Sequence, residues 1–304
     1  MLTEAISLYD LFEAFPDEQS CLDHLASIRW RDGKFCPHCG SLKIYDFSDR
    51  KTFKCGDCRQ RFSVKVGTIF QDTKLPLRKW FMAIWMITNH PKGIASTTLA
   101  KDLKITQKSA WHVLHRLRHA ARTRSFNAPL TGTVEADTTY IGGSEKNKHA
   151  KDRKGGKQGG SGKEIVLGIV ERDGSLRAAH VPDGKAKTLQ AEIVENVAPG
   201  ALVMTDEDAA FKGLSGFGHF TVNHSAGEYA RLGNFVHTNT IEGVWSQLKR
   251  QIIGVHHWVS PKHLNKYVGE MAWRYNRSDI RTGLRLNDML TCVEGPLPYK
   301  LLIS

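Results

Sequence analysis

Two Cys-x-x-Cys pairs constrain the fold of this 304-residue chain more than any other feature of the sequence. Cys36 and Cys39 form the first pair, and Cys55 and Cys58 form the second after fifteen intervening residues. This spacing is typical of a tetrahedral Zn²⁺ site, in which each pair supplies two thiolates from a tight turn. A site with four thiolates leaves no coordination position open for a substrate, so the sequence predicts a structural zinc ion.

The residues around the cysteines favour a zinc ribbon over residues 33–67. Segments that alternate as short strands flank the second pair, and Gly40 and Gly56 permit tight turns beside the cysteines. The alternative is a redox dithiol, but that site needs a single Cys-x-x-Cys pair beside a βαβ pattern. The ribbon also carries five basic residues that are either nucleic-acid contacts or a solvated face: Lys51, Lys54, Arg59, Arg61 and Lys65.

The charge balance indicates a polyanionic partner. The formal net charge is +12 and the sequence pI is about 9.4. Nucleic acid is the simplest partner for such a surplus, although a basic protein without that role remains an alternative. The N-terminus lacks the basic start and apolar run of a signal peptide, and the apolar run at 80–87 is too short to span a bilayer. We therefore expect no membrane association, a cytoplasmic location and reduced thiols.

Residues 68–130 have the pattern of a helical DNA-binding segment, after a helical N-terminal segment at 1–32. Ser96 and Thr106 are candidate caps of two short helices joined by a brief turn, which predicts a helix-turn-helix-like unit. A plain helical bundle with a charged outer face is the alternative. In a helix-turn-helix the second helix would enter the major groove, with these candidate contacts: Gln107, Lys108, His112, His115 and Arg116.

Residues 131–284 form a β-rich region with a mixed α/β order. The pattern predicts three successive strands, the last two a hairpin around Asp173, followed by helix, strand, helix, strand, helix. A Lys- and Gly-rich run at 144–163 predicts a mobile loop. One more helix follows, near whose end Arg274, Asn276 and Arg277 are candidate DNA contacts. Residues 285–304 form a C-terminal tail without a clear pattern.

Three acids fall at informative places in this region. Asp137 lies in the first strand, Asp206 ends an apolar strand, and Glu242 begins the helix that follows. Acids brought together from two neighbouring strands and a helix can hold two divalent ions, and Mg²⁺ prefers such oxygen ligands. Each strand-end aspartate taken alone is also explained as a turn former or a helix cap.

Glu242 has a second explanation as part of a capping box. In that arrangement Asn239 is the N-cap and Glu242 the N3 residue of the helix. The helical pattern places Glu242 and Lys249, seven residues apart, on one face beside the apolar stripe. That face would present Glu242 to metal ions and Lys249 to a phosphate, or it is an ordinary charged surface.

The motifs in this order resemble the bacterial insertion-sequence transposases of the DDE superfamily that carry an N-terminal zinc ribbon. The resemblance covers residues 20–280 and rests on the cysteine pairs and on three segments, ADTTYIGG, VMTDEDAAF and HTNTIEGVWSQLKR. It implies a ribonuclease H-like mixed sheet with helices, preceded by the small ribbon and the helical domain. One departure is Thr138, where the family often has Glu directly after the first aspartate.

The resemblance implies that Asp137, Asp206 and Glu242 bind two Mg²⁺ or Mn²⁺ ions. Thirty-five residues separate Asp206 from Glu242, and Lys249 follows at the position of the superfamily's lysine. Some members place Asn where others place Glu, so Asn239 is the alternative third residue. The implied reaction is 3′-end cleavage at the terminal inverted repeats and strand transfer into target DNA. We expect the chain to act on DNA as a homodimer or a higher oligomer, in association with the nucleoid.

Two other classes of function remain open from the sequence. A non-catalytic DNA-binding regulator explains the charge and the zinc but gives the spaced acids no role. A ribonuclease H-type nuclease without strand transfer keeps the acids but needs no end-binding region. A transposase copy that has lost mobility is a further possibility, against which the intact set of acids argues.

Overall fold

The structure is a computed structural model that describes residues 7–122, 128–143, 149, 162–223, 228, 230–233 and 235–303. The chain divides into two compact units, one formed by Met1–Arg124 with Asp279–Ser304 and the other by Ser125–Ser278. The predicted Lys- and Gly-rich loop falls almost wholly outside the described residues. The finer division into five segments made from the sequence stays a prediction.

The first unit combines the ribbon with helices. Its strands are β1 (Ile44–Asp46), β2 (Phe53–Cys55) and β3 (Arg61–Phe62), which form an antiparallel sheet in that order. Its helices before the second unit are α1 (Leu8–Ala14), α2 (Glu18–Arg29), α3 (Leu77–Asn89), α4 (Ser96–Leu103) and α5 (Gln107–Arg122). The aromatic side chains of Trp30, Phe53 and Phe62 pack against one another and supply the small core beside the ribbon.

The second unit is a mixed five-stranded sheet with helices. Its strands are β4 (Thr133–Ile141), β5 (Glu164–Glu171), β6 (Leu176–Val181), β7 (Leu202–Thr205) and β8 (Gly218–Thr221), in the order β6-β5-β4-β7-β8. Strands β4, β5 and β6 are antiparallel neighbours, whereas β7 is parallel to both β4 and β8. The helices are α6 (Ala186–Asn196), α7 (Asn239–Gln251) and α8 (Pro261–Tyr275).

The sequence pattern predicted nearly every element of this sheet. The hairpin turns at Asp173, which adopts a φ of 57° as the predicted tight turn requires. One difference lies between β7 and β8, where the expected helix is a single 3₁₀ turn, Ala209–Phe211. The α/β class and the ribonuclease H-like mixed sheet are confirmed.

The core of the second unit has one layer on each face of the sheet. Val134 and Ala136 of β4 belong to the layer that also contains residues of α6, whereas Ile141 belongs to the layer that contains α7 and α8. Successive residues of a strand face opposite sides, so Glu135, Asp137 and Thr139 share the α7 face with Ile141. The face on which α7 packs therefore carries both acids of β4.

The C-terminal residues belong to the first unit and form two further helices, α9 (Thr282–Thr291) and α10 (Tyr299–Ile303). Asn287 of α9 accepts or donates a 2.7 Å hydrogen bond with the ring of His24 on α2. Among the described residues no helix is both long enough and apolar enough to cross a membrane.

Candidate active site

The four predicted zinc ligands come together. The ligand atoms of Cys36, Cys39, Cys55 and Cys58 all lie within 4.8 Å of one another. The Sγ atoms of Cys36 and Cys58 are 3.6 Å apart, as are those of Cys39 and Cys55. Tetrahedral Zn–S bonds of about 2.3 Å place neighbouring sulfur atoms roughly 3.8 Å apart. The donor set and its spacing therefore fit Zn²⁺, and the segment forms the predicted zinc ribbon.

The two turns that hold the cysteines are alike but use different residues. Gly40 directly follows the first pair with a φ of 78°, and Arg59 directly follows the second pair with a φ of 62°. Gly56 does not adopt a positive φ, so its predicted role as a turn former is wrong. Gly56 instead leaves room for the side chain of Lys43, because a Cβ at position 56 would lie 2.6 Å from Cγ of Lys43. His38 is exposed and stands outside the cysteine group.

The predicted helix-turn-helix contacts separate into two groups. Gln107 and Lys108 are exposed at the start of α5, whereas His115 is fully buried. Arg116 is also buried, and it donates hydrogen bonds to the backbone carbonyls of Ile69, Gln71 and Leu297. The prediction that His115 and Arg116 contact DNA is therefore wrong, because their faces of α5 belong to the core of the first unit.

Of the two predicted helix caps, Thr106 is confirmed and Ser96 is not. Thr106 caps α5 through its hydroxyl, which accepts the Ser109 amide at 3.2 Å. Ser96 is the first residue of α4 rather than its cap, because Ala95 precedes the helix without a side-chain hydrogen bond. Ser96 instead receives a hydrogen bond from Gln107 at 2.9 Å, which joins the starts of the two helices.

Asp137 and Asp206 occupy level positions on adjacent parallel strands. The last paired residues of β4 and β7 are Glu135 and Met204. Two further steps along each chain lead to Asp137 and to Asp206, which directly follows β7. Neighbouring strands lie about 4.8 Å apart, so the register brings Asp137 and Asp206 level with each other, at the point where β7 ends and β4 continues. This confirms the strand positions that the sequence predicted for them.

The electrostatic environment of Asp137 shows that the three acids act on one another. The pKa of the Asp137 carboxyl is raised to about 6, mainly by burial, next by the negative charge of Asp206 and to a smaller extent by that of Glu242. Hydrogen bonds oppose this rise. The Trp245 indole N–H donates to Oδ2 at 2.8 Å, and the Thr138 amide donates to Oδ1 at 2.7 Å. The two hydrogen bonds therefore hold the Asp137 carboxylate in position, while burial and the neighbouring acids disfavour its negative charge.

Glu242 lies on the first turn of α7 and is exposed. The helix begins at Asn239, and Thr238 is its N-cap residue. The Thr238 side chain accepts no hydrogen bond from the backbone amides of the first turn. The predicted capping box between Asn239 and Glu242 is therefore wrong. Its absence removes the main structural explanation for an acid at position 242, although the Thr238 hydroxyl lies 3.4 Å from Glu242 Oε1.

The start of α7 is instead bound by Glu135, a residue that the sequence reasoning missed. Its fully buried carboxylate accepts the amides of Thr240 at 2.8 Å and Ile241 at 3.0 Å, and the Thr240 hydroxyl at 2.9 Å. Arg172 Nε donates to the same carboxylate at 2.8 Å, and His237 Nδ1 lies 3.1 Å from it. The available signal was a glutamate two residues before Asp137, on the same face of a buried strand.

Gly168 allows α7 to approach the sheet beside Asp137. It pairs with Asp137 across β4 and β5. A Cβ at this position would lie 2.4 Å from Cη2 of Trp245 and 2.8 Å from Cδ1 of Ile241. Any side chain here would push Trp245 away from the sheet, so the hydrogen bond between Trp245 and Asp137 depends on this glycine.

The carboxylates suit hard divalent ions as a donor set, but they do not form a compact cluster. In the described part of the chain, the only group of three or more potential ligands within 4.8 Å is the four cysteines. The three acids are therefore spaced more widely than the ligands of one ion. Two ions about 4 Å apart need ligands spread in this way, and uncompensated carboxylates repel one another.

The remaining candidate residues are placed as follows. Asn239 and Lys249 are exposed at the two ends of α7. Arg274 is buried and forms an ion pair with Glu270, and Asn276 exchanges hydrogen bonds with the backbone of Leu176. The prediction that Arg274 contacts DNA is therefore wrong, because its side chain is buried within the second unit, whereas the predictions for the partly exposed Asn276 and Arg277 stay predictions.

Comparison with known proteins identifies two family domains at the positions of the ribbon and the sheet. Residues 16–61 match the transposase zinc-ribbon domain, and residues 129–276 match the ISXO2-like transposase domain. The second match spans β4 to α8 and includes all three acids.

Two relatives carry related descriptions. An uncharacterized protein in transposable element ISH50 of Halobacterium salinarum is 28% identical over 274 residues, which cover 84% of this chain and 90% of that protein. An uncharacterized transposase-like protein of Haemophilus influenzae is 32% identical over 119 residues, which cover 38% of this chain and 92% of that protein. The chain belongs to the insertion-sequence transposases of the DDE superfamily that carry an N-terminal zinc ribbon.

Proposed function

We propose that the chain is an active DNA transposase whose Asp137, Asp206 and Glu242 catalyse cleavage and strand transfer at the ends of its element. The observation that carries the proposal is the level position of Asp137 and Asp206 on β4 and β7, beside the first turn of α7. The raised pKa of Asp137 supports it, because a carboxylate destabilised by burial and by neighbouring acids is a good ligand for a cation that neutralises them.

The three carboxylates would hold two Mg²⁺ or Mn²⁺ ions. Bound divalent ions supply Lewis acidity and neutralise charge at a reacting phosphate. The chain's own residues then have defined tasks. Trp245 orients the Asp137 carboxylate through its indole N–H, Glu135 fixes the start of the helix that carries Glu242, and Lys249 offers a positive charge to a phosphate.

The proposed reaction is two successive phosphoryl transfers. In the first, water attacks the phosphodiester at the end of the element, an O–P bond forms, and the bond to the 3′ oxygen breaks to leave a 3′-OH. In the second, this 3′-OH attacks a phosphodiester of target DNA and displaces the target's own 3′ oxygen. Neither transfer needs a covalent enzyme intermediate, so no Ser or Tyr nucleophile is required.

DNA binding is assigned to the first unit. The four cysteines of the ribbon would hold a structural Zn²⁺ through their thiolates. The exposed Gln107 and Lys108 of α5, with the half-buried His112, are the remaining helix-turn-helix contacts. Two element ends must be held together, so we expect at least a dimer on DNA. A DNA complex that contains only one copy of the chain by mass measurement would contradict that expectation.

The test is strand transfer from a labelled element end into plasmid DNA with Mg²⁺ or Mn²⁺. We expect joined product to be lost in Asp137→Ala, Asp206→Ala and Glu242→Gln and kept in Asn239→Ala. Glu195→Gln is the matched control, because it removes an exposed helical glutamate from α6, on the other face of the sheet.

Each other outcome has a defined meaning. Loss of product in Asn239→Ala but not in Glu242→Gln would make Asn239 the third residue. Cleavage by the wild type without joining would indicate a ribonuclease H-type nuclease. DNA binding by the wild type with neither cleavage nor joining would indicate a regulator, and both results would overturn the proposal.

A further inference from the structure

A cavity of about 680 Å³ in the second unit has a wall that begins at Thr138, the residue after Asp137. One wall is residues 138–143, which begin directly after Asp137, and another comes from the segment 249–259 at the end of α7 and beyond. The volume is in the range of roughly 300–1,000 Å³ that is usual for pockets that bind small molecules. The cavity is therefore large enough for one nucleotide next to the proposed catalytic residues.

The topology of the sheet explains why the cavity exists. Strand β4 continues to Ile141, but its pairing with β7 ends at Glu135 and Met204. In the described part of the chain, no strand lies beside Thr138–Ile141 on the β7 side. This open stretch of β4 is what lines the cavity.

The other wall depends on an irregular end to α7. The helix passes into a π-helical turn, Ile252–His256, and His257 then adopts a φ of 61°. A left-handed conformation at a residue with a side chain is strained and is often found at functional sites. The turn brings Trp258 into the cavity lining, although 66% of its surface is exposed.

The chemistry of the lining combines aromatic rings with cations. Trp258 and Tyr140, which is 43% exposed, both line the cavity, and so do Lys163 and Lys249. Neither lysine forms an ion pair among the described residues, so their charges are not compensated by nearby acids in that part of the chain. Ile252 adds an apolar surface. Aromatic platforms next to cations are the usual means by which proteins bind unpaired nucleotides.

We propose that this cavity binds one unpaired nucleotide of the DNA end, with its base against Trp258 and the flanking phosphates near Lys163 and Lys249. This inference rests on the proposed function and names the form of DNA that the same site accepts. A base inside a duplex has both faces covered by its neighbours, so only an extruded or overhanging base can enter a cavity. The position next to Asp137 places this nucleotide beside the phosphate that reacts.

The test compares the binding of two duplexes that carry the element end, one blunt and one with unpaired thymidines at the terminus. We expect the wild-type chain to prefer the unpaired end, and we expect Trp258→Ala to reduce that preference roughly 5- to 150-fold, the effect of one stacked base. Trp258→Phe should retain most of the preference because it keeps an aromatic face. Val194→Ala, an equally exposed apolar residue on α6, is the matched control and should change nothing.

Two further arms make the test specific. A duplex with abasic sites in place of the unpaired thymidines should bind like the blunt duplex, and Trp258→Ala should then have no additional effect. Lys163→Ala should reduce the salt dependence of binding to the unpaired end by about 0.7 in the slope, as expected for one phosphate contact on a single strand.

Several results would overturn the inference. These are equal affinity for the two duplexes, an equal loss of binding to both in Trp258→Ala, or displacement of the unpaired end by free thymidine monophosphate, which would indicate a pocket for a free nucleotide. Strand transfer is measured on the same samples. Joining without a preference for the unpaired end refutes this inference alone, whereas a Trp258-dependent preference without joining refutes the proposed function alone.

Discussion

Replacing Glu135 by glutamine tests whether the buried ion pair below α7 positions the candidate active site. The substitution keeps the shape of the side chain but removes its charge and turns one acceptor oxygen into a donor. Four of the groups around it donate hydrogen bonds to the carboxylate, namely Nε of Arg172, the Thr240 hydroxyl and the amides of Thr240 and Ile241. Each carboxylate oxygen accepts at least one of these bonds, so the new amide N–H₂ would face a donor on either side, and Arg172 would lose its counter-charge.

The structure sets the size of the expected effect. The Glu135 side chain is fully buried and that of Arg172 is 19% exposed. Removing one partner of a buried ion pair costs about 3–5 kcal/mol, because the remaining charge stays buried without compensation. Glutamine keeps one acceptor for α7, so we expect a loss of about 3 kcal/mol in the free energy of unfolding of the second unit.

Glu164→Gln is the matched control. Glu164 is also a strand glutamate of the same sheet, and its carboxylate lies 2.7 Å from Nε2 of His180. Its side chain is 36% exposed and that of His180 is 24% exposed. Solvent screens such a pair, so the same substitution there should cost less than about 1 kcal/mol.

The assay is urea unfolding combined with hydrogen exchange of the amides of α7. Glu135→Gln should lower the unfolding midpoint and remove protection from Thr240 and Ile241, and strand transfer should fall with it because Glu242 loses its fixed position. A double-mutant cycle with Arg172→Gln should show a coupling of roughly 1–3 kcal/mol. A loss no larger than in Glu164→Gln, with unchanged exchange and joining, would refute the view that this ion pair positions α7.

Three further predictions concern other parts of the chain. Gly168→Ala should lower the free energy of unfolding in urea by about 1–3 kcal/mol, because its Cβ would lie 2.4 Å from an atom of Trp245. Gly184→Ala should be tolerated, because the nearest atom to its Cβ would be 3.4 Å away. Equal effects of the two substitutions would contradict the close approach of Trp245 to Gly168. The pKa of Asp137 in the folded protein, about 6, lies above its ordinary value of 3.8. The free energy of unfolding of the metal-free protein should therefore fall by about 3 kcal/mol as the pH rises from about 4 to beyond 6. Asp137→Asn should flatten that pH profile and be more stable at pH 8, and an unchanged profile would refute the assignment. Chelating zinc should unfold residues 33–67, which hydrogen exchange would detect as a loss of amide protection. Loss of Mg²⁺ binding to the second unit when zinc is chelated would contradict two separate metal sites.

Several features of this protein follow from local sequence alone. The cysteine spacing predicted the ribbon because a tetrahedral metal site imposes fixed separations on its ligands. Alternation and turn residues predicted β4 to β8, because the pleat of a strand and the φ of a turn are properties of neighbouring residues. The positions of Asp137 at mid-strand and Asp206 at a strand end were predicted for the same reason.

Other features required partners that are distant in the sequence. The start of α7 is bound by Glu135, about a hundred residues earlier, so the local capping pattern at Asn239 and Glu242 was misleading. His115, Arg116 and Arg274 have the composition of DNA contacts, but each is buried in its own unit. Burial depends on which face of a helix meets a neighbour, and residue type does not determine that.

The sequence by itself determined most of the elements and the four-cysteine site, because these are set by spacing and periodicity along the chain, and its motifs carried the resemblance to the family. The tertiary structure alone decided how the elements meet. It set the register that brings Asp206 level with Asp137, the glycine at 168 that admits Trp245, and the end of β7 that leaves β4 open beside Trp258. Each of these is a relation between segments that are far apart in sequence, and such relations arise only when burial and hydrogen bonding select one packing of the whole chain.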